Sequence, residues 1–287
     1  MGARGYDGQP MSSPESCYRH PDRPTRVHCT RCGRPICPDC MTPAPVGHHC
    51  PTCVAEAKKG ARRLRPVLPR PRSATTAILA INVVVFAIDL ILRASGQVTL
   101  LERGAMVPVL VAQGEWYRLV TAMFLHIGVL HLAFNSFALY LFGSVVEQAL
   151  GTARFVAVYL ITGFAASAAS FAFSQPETAA AGASGAVFGL LGVWLAYNLR
   201  RRSLMMARAN VQWALTLIAV NLVIGFAVPG IDNVAHIGGL VAGVVAGFVV
   251  EGIGPRTART VTSVAGMALL LVAAVALTAW RAAALTG

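Results

Sequence analysis

Four polar residues, Ser184, His236, His131 and Asn135, stand inside stretches of this 287-residue chain that are otherwise largely apolar. Polar groups in such surroundings are costly and call for a functional explanation. A serine and a histidine are the minimum set for nucleophilic catalysis. The imidazole takes the hydroxyl proton as attack begins and returns it to the leaving amine. His131 and Asn135 are spaced i and i+4, so on a helix they share one face. Such a pair, with backbone N–H groups at a helix N-terminus, suits a developing oxyanion. Ser184 lies in Gly182-Ala183-Ser184-Gly185. This is not the Gly-x-Ser-x-Gly elbow of soluble hydrolases, because Ala186 stands where that motif needs glycine. Taken singly, a serine in an apolar helix is usually a packing residue. Asp232, four residues before His236, has two readings: a helix cap or the third member of a triad.

All seven cysteines fall between Cys17 and Cys53. They form four knuckles with two residues between partners: Cys17/His20, Cys29/Cys32, Cys37/Cys40 and Cys50/Cys53. A knuckle lets both side chains of one tight turn reach the same ion, and eight ligands suit two tetrahedral zinc ions. Met1–Ser16 is polar with no apolar core, so no signal peptide is expected there. Without export, a cysteine cluster reads as metal-binding before it reads as disulfide-bonded. About 40 residues cannot bury enough core to fold alone, so the metal would supply the folding free energy. His48 and His49 adjoin Cys50 and leave the last two ligands open, while His28 reads as a surface residue.

The elements that position these groups follow from composition and hydropathy. Hydrophobic residues make up 55% of the chain and charged residues 13%, against about 25% charged in a soluble domain. Residues 1–72 hold 13 of the 24 Lys+Arg and 5 of the 12 Asp+Glu. Disordered, fibrous and ordinary cytosolic classes are excluded, and the C-terminal three quarters reads as a membrane domain. A net charge of +12 would suggest nucleic acid in a soluble protein. Here basic cytoplasmic segments explain it, and no nucleic-acid partner is expected.

Apolar spans near the ~20 residues that cross a bilayer fall at 75–93, 128–147, 153–174, 184–199, 210–228, 232–251 and 262–282, which gives seven helices. Arginines concentrate in alternate loops, which predicts a cytoplasmic N-terminus and an outside C-terminus. The second, fourth and sixth spans then run the same way, so His131, Asn135, Ser184 and His236 share one shallow layer under the outer surface. Gly185-x3-Gly189 and Gly239-x3-Gly243-x3-Gly247 supply small residues that let two helix backbones approach closely. Glu102–Trp116, between the first two spans, is long and rich in Pro, Gly and aromatics. Long structured loops often carry function. Val54–Ser73 is a basic, proline-containing linker suited to an anionic leaflet.

From about Thr75 to Val250 the chain resembles the rhomboid intramembrane serine proteases. The strings that carry the resemblance are Trp116-Tyr117-Arg118, His126 to Asn135, Gly182-Ala183-Ser184-Gly185, and Ala235-His236-Ile237-Gly238-Gly239 with Gly243. The resemblance implies Ser184 as nucleophile, His236 as its base, and His131, Asn135 and the Ser184 amide as the oxyanion hole. It places Phe188 against the catalytic histidine, and it makes Arg118, Glu147 and His126 structural. It implies an all-α polytopic membrane fold, a six-helix core plus a seventh helix, and a Ser–His dyad with no cofactor for catalysis. The expected substrates are transmembrane-anchored proteins cleaved near the outer face.

Residues 17–53 resemble a B-box zinc finger. Its cross-braced order would pair Cys17, His20, Cys37 and Cys40 on one ion and Cys29, Cys32, Cys50 and Cys53 on the other. The expected organisation is a disordered 1–16, a zinc finger at 17–53 with a cytoplasmic protein partner, a linker at 54–73, a protease core at 74–252 and the seventh helix within 253–287. Two other function classes compete: a non-catalytic rhomboid-like protein that binds membrane helices, and a zinc-finger adaptor merely tethered in the membrane. Intact Ser184 and His236 disfavour the first, and a convergent polar layer disfavours the second. Asp89 in the first span has no motif and is expected at the outer interface.

Overall fold

The computed structural model describes residues 15–60, 73–252 and 256–286. The chain divides into two compact units, Met1–Val67 and Leu68–Gly287.

The first unit is built of short pieces. Strands β1 (Glu15–Cys17) and β2 (His20–Thr25) form an antiparallel hairpin, as do β3 (Thr42–Pro43) and β4 (His48–His49). Helix α1 (Pro51–Gly60) closes the unit. Its buried core holds six cysteines and one aliphatic side chain, Ile36, with Tyr18 and Met41 packed alongside. That is too little apolar area to offset the chain entropy of folding. Two expected boundaries shift. Glu15 and Ser16, expected to be disordered, belong to β1, where Glu15 pairs with Thr25 and Ser16 with Pro24. Residues 54–60, expected as linker, continue α1, because Pro51 starts a helix at its first position and the following Ala, Glu and Lys propagate it. Most of the basic linker lies outside the described residues.

The second unit is helical. Its elements are α2 (Ser73–Ala94), the short α3 (Leu100–Gly104), α4 (Pro108–Ala112) and α5 (Arg118–Thr121), then α6 (Val129–Ala138), α7 (Ser144–Leu150), α8 (Thr152–Phe173), α9 (Ser184–Leu199), α10 (Met205–Ala227), α11 (Asn233–Val249) and α12 (Arg256–Thr286). All seven expected spans are present as helices. The second is one continuous span, Val129–Leu150, in which a π-helical turn at Leu139–Gly143 joins α6 to α7. Five spans are long and apolar enough to cross a membrane, but α9 and α11 have only 16 and 17 residues. At 1.5 Å per residue α9 is about 24 Å long, less than a ~30 Å hydrocarbon core. A helix that short can reach one face only by starting below the other. Its first residue is Ser184.

Glycines set the centre of this unit. A Cβ on Gly239 would overlap the Gly185 carbonyl, one on Gly243 the Gly189 carbonyl, and one on Gly247 would meet the Val193 backbone. The contacts advance four residues at a time on both helices, so α9 and α11 run parallel and in step with their backbones touching. Helix α8 runs the opposite way against both: Ala166 lies against Gly185 and Gly239, and Thr162 against Gly189.

Buried polar groups fasten the ends. The Glu147 carboxylate accepts from the backbone N–H of Ala74 and Thr75 and from the hydroxyls of Thr75 and Thr152. It therefore caps α2 from another helix, a favourable place for a negative charge. Thr99 and Glu102 form a reciprocal capping box that starts α3. Asp89 faces the protein interior near the end of α2. It is buried at 2% exposure and accepts from the Leu101 N–H at 2.8 Å, with Arg93 at 3.4 Å. It holds the loop after α2 onto that helix.

Candidate active site

Ser184 is the first residue of α9 and His236 lies in the first turn of α11. The parallel, in-step packing of these helices brings the two side chains together, with Ser184 Oγ 2.9 Å from His236 Nε2. Phe188, one turn along from Ser184, stacks on the imidazole with ring centroids 4.3 Å apart and planes 10° from parallel. The Nδ1 atom of His236 is buried and has no hydrogen-bond partner among the described residues. The stacked Phe188 ring, and not a hydrogen bond to Nδ1, thus fixes the plane of the imidazole.

Asp232 does not reach Nδ1. One carboxylate oxygen accepts from the Ala235 N–H at 2.9 Å, capping α11, and the other accepts from the Ser170 hydroxyl on α8. Of the two readings of this residue, the geometry is that of a cap. Ser170 was not picked out in the sequence. Only a distant pairing across 62 positions reveals it.

His131 belongs to the first turns of α6, and its ring faces Gly182: a Cβ there would lie 2.8 Å from both Nε2 and Cε1. Gly182 also has φ of +144°, a backbone conformation that side chains rarely adopt, so two separate constraints require glycine. The Ile127 N–H points to His131 Nδ1 at 3.5 Å. In a neutral ring this leaves the proton on Nε2, which faces Gly182 and the neighbouring Ser184 hydroxyl. Asn135 is buried, and its amide donates to the His131 carbonyl at 2.9 Å. One of its two N–H hydrogens is therefore committed to its own helix, and the other remains for a ligand. His126 is buried with its ring 5.2 Å from that of His131, backing it from the loop side.

The loop between the first two spans is built around Arg118. This buried guanidinium bonds Glu115 at 2.6 Å and the carbonyls of Glu102 and Ala105 at 3.1 and 2.8 Å. The neighbouring Tyr117 is exposed and rests on Arg118 and Glu115. Glu115 is a partner that sequence reading missed; its signal was the i,i+3 spacing to Arg118. A two-way backbone bridge joins Met106 to Ala180, and Gly182 N–H donates to the Ala122 carbonyl at 2.9 Å. The loop thereby holds the segment that leads into Ser184.

In the first unit the ligating atoms of Cys17, His20, Cys37 and Cys40 gather within 4.8 Å of one another, as do those of Cys29, Cys32, Cys50 and Cys53. The pairing is cross-braced. Neither His48 nor His49 joins a group; both sit in β4 opposite β3. His28 is exposed and meets Glu15 at 3.2 Å. Tetrahedral zinc requires S···S edges of about 3.8 Å and N···S edges of about 3.6 Å. The observed values are 3.7 Å for Cys32–Cys50, and 3.8, 3.3 and 3.5 Å from His20 Nδ1 to Cys17, Cys37 and Cys40. The thiols also titrate as crowded like charges. Burial opposes ionisation of Cys17 and Cys29, but backbone N–H donors outweigh it and bring both down to about 6. Burial and neighbouring thiols push Cys40 to about 11 and Cys53 to about 12. A dication would let each set ionise together. Both groups fit zinc.

The Rhomboid domain family model matches residues 113–252, which include α5 to α11 and all the polar groups around Ser184. "Rhomboid protease GluP" of Bacillus subtilis (strain 168) is 47% identical over 145 residues, 50% of this chain and 28% of that protein. "RHOMBOID-like protein 6, mitochondrial" of Arabidopsis thaliana is 42% identical over 153 residues, 53% of this chain and 49% of that protein. "Putative rhomboid protease YdcA" of Bacillus subtilis (strain 168) is 38% identical over 138 residues, 48% of this chain and 69% of that protein. The chain thus spans half or less of the first two of these relatives and most of the third. The chain belongs to the rhomboid family.

Proposed function

We propose that this chain is an intramembrane serine endopeptidase that cleaves transmembrane-anchored proteins with Ser184 and His236. The observation that carries the reading is the 2.9 Å approach of Ser184 Oγ to His236 Nε2 at the start of two apolar helices too short to span a membrane. Two of the relatives bear the name protease, which agrees with it.

In the proposed reaction His236 Nε2 takes the Ser184 proton as Oγ attacks the scissile carbonyl. The carbonyl oxygen becomes an oxyanion, which the Ser184 N–H, His131 Nε2–H and the second Asn135 hydrogen stabilise. The imidazolium then protonates the leaving amine, and water repeats the cycle to release the acyl group. No carboxylate is required at Nδ1. Small residues around Ser184 leave room for a substrate chain with a small side chain at the cleaved bond. The active site faces the outer side of a cell membrane, with the N-terminus cytoplasmic and the C-terminus outside, as the arginine distribution supports. The first unit binds two structural zinc ions and recruits a cytoplasmic protein or a substrate segment, without supplying chemistry.

The test uses the purified full chain with a fluorescently labelled transmembrane substrate. Ser184→Ala and His236→Ala should each lose at least about 10⁴-fold in cleavage rate. Equal cleavage by wild type and Ser184→Ala would overturn the reading. A cysteine introduced within 174–178 should react with an impermeant reagent from outside, whereas one at Arg202 should not.

A further inference from the structure

The helix ends farthest from Ser184 enclose a cavity of about 570 Å³ whose charged lining is Arg154 of α8, Arg200 and Arg201 just after α9, Glu251 just after α11, and Arg259 of α12. Among the described residues four guanidiniums thus converge on one space with a single carboxylate among them. We propose that this cavity is a binding site for a phosphate-bearing anion, filled in the membrane by the headgroup of an anionic phospholipid.

Three observations separate it from a merely basic surface. First, two of the arginines are preorganised. Arg200 donates to the Phe248 carbonyl at 2.8 Å, and Arg201 donates to the Tyr197 carbonyl at 3.0 Å while its guanidinium lies 3.7 Å from the Tyr197 ring centroid. Both also contact Glu251, at 3.6 and 2.7 Å, so two cations share one anion and the set stays net positive. Planar guanidiniums already fixed in place lose little entropy on binding phosphate.

Second, Arg154 makes no ion pair with any described residue, and it lies in the first turn of α8, whose opening N–H groups lack helical acceptors. Third, the backbone is shaped to bring α12 in. Gly252 has φ of +68°, and a Cβ there would overlap the backbone of Arg259. Any side chain at 252 would push Arg259 away from the other three arginines. Basic pockets between helices at a membrane face are the sort of place where phospholipid headgroups lodge. An occupant would bridge α8, α9 and α11 to α12, fastening the seventh helix to the six-helix core.

The experiment uses the full chain in nanodiscs of phosphatidylcholine, alone or doped with phosphatidylglycerol, and the detergent-solubilised chain titrated with inorganic phosphate. Native mass spectrometry reads retained lipid, and thermal unfolding reads stabilisation. Phosphatidylglycerol should be retained in preference to phosphatidylcholine and should raise the unfolding midpoint. Arg154→Gln/Arg259→Gln should weaken that retention by at least about tenfold. Arg202→Gln/Arg208→Gln, which removes equal charge from the same end outside the cavity, should weaken it by no more than about threefold. A response to phosphate matching that to phosphatidylglycerol would keep the site and make its occupant a soluble anion. Equal weakening by both variant pairs, or no preference among lipids and no response to phosphate, overturns the proposal. If the Arg154/Arg259 variant fails to fold, retention on the unaltered chain decides: equal retention of the two lipids overturns it.

Discussion

The two units of this chain solve the same problem by opposite means. In the first, the buried core is six cysteines and Ile36, and two sets of ligating atoms gather as zinc would require. In the second, α9 and α11 meet along glycines with backbone against backbone, and carboxylates close the helix ends. With zinc bound as proposed, one unit would be dissolved by removing its metal. The other can be broken only by filling the space where two helices touch. The difference teaches where each unit is vulnerable, and it predicts that damage to one need not reach the other.

The largest expected effect comes from metal removal. A strong chelator should release two zinc ions and unfold residues 17–53, since zinc supplies roughly 10–16 kcal/mol to such domains. Hydrogen exchange should show full loss of protection there, with cleavage of a short transmembrane substrate unchanged. Loss of that cleavage would break the comparison.

Gly239→Leu is the matching lesion in the second unit. Its side chain would overlap the Gly185 carbonyl, and overpacking against rigid backbone should cost at least about 3 kcal/mol. Thermal unfolding of the membrane unit and cleavage should both suffer, while zinc content stays the same. A stable, active variant would mean that the two helices can separate.

Smaller effects sharpen the comparison within the active site. His131→Ala should slow cleavage by about 10²–10³-fold with little change in stability, the usual loss for one oxyanion donor. A change under threefold would remove His131 from that role. Asp232→Asn should stay within about fivefold of wild type, because asparagine caps helices as well as aspartate and one altered hydrogen bond is worth about 1 kcal/mol. A loss comparable to that of His236→Ala would establish a triad and contradict the partnerless Nδ1.

Much of this was legible in the chain itself. The knuckle spacing fixes which cysteines can share an ion locally, because two residues of backbone leave few alternatives. Hydropathy locates the seven apolar helices, although α9 and α11 fall short of the length that bilayer thickness sets. The Gly-x3-Gly spacings announce a close helix pair, and Ser184 and His236 stand out because polar groups in apolar stretches are rare. These are properties of short windows, set by bond lengths and by the thickness of hydrocarbon.

Other features were decided only when the helices packed. Asp232 takes Ser170 and the α11 N-terminus as partners instead of His236. Asp89 turns inward to hold Leu101. Glu147 caps a helix more than 70 residues away in sequence, and four arginines from two helices and the α9–α10 turn converge on one cavity. Hydropathy says how deep a residue lies but leaves each helix free to rotate and slide about its axis. Only the fit of side chains between neighbouring helices fixes that rotation, and with it which polar groups meet.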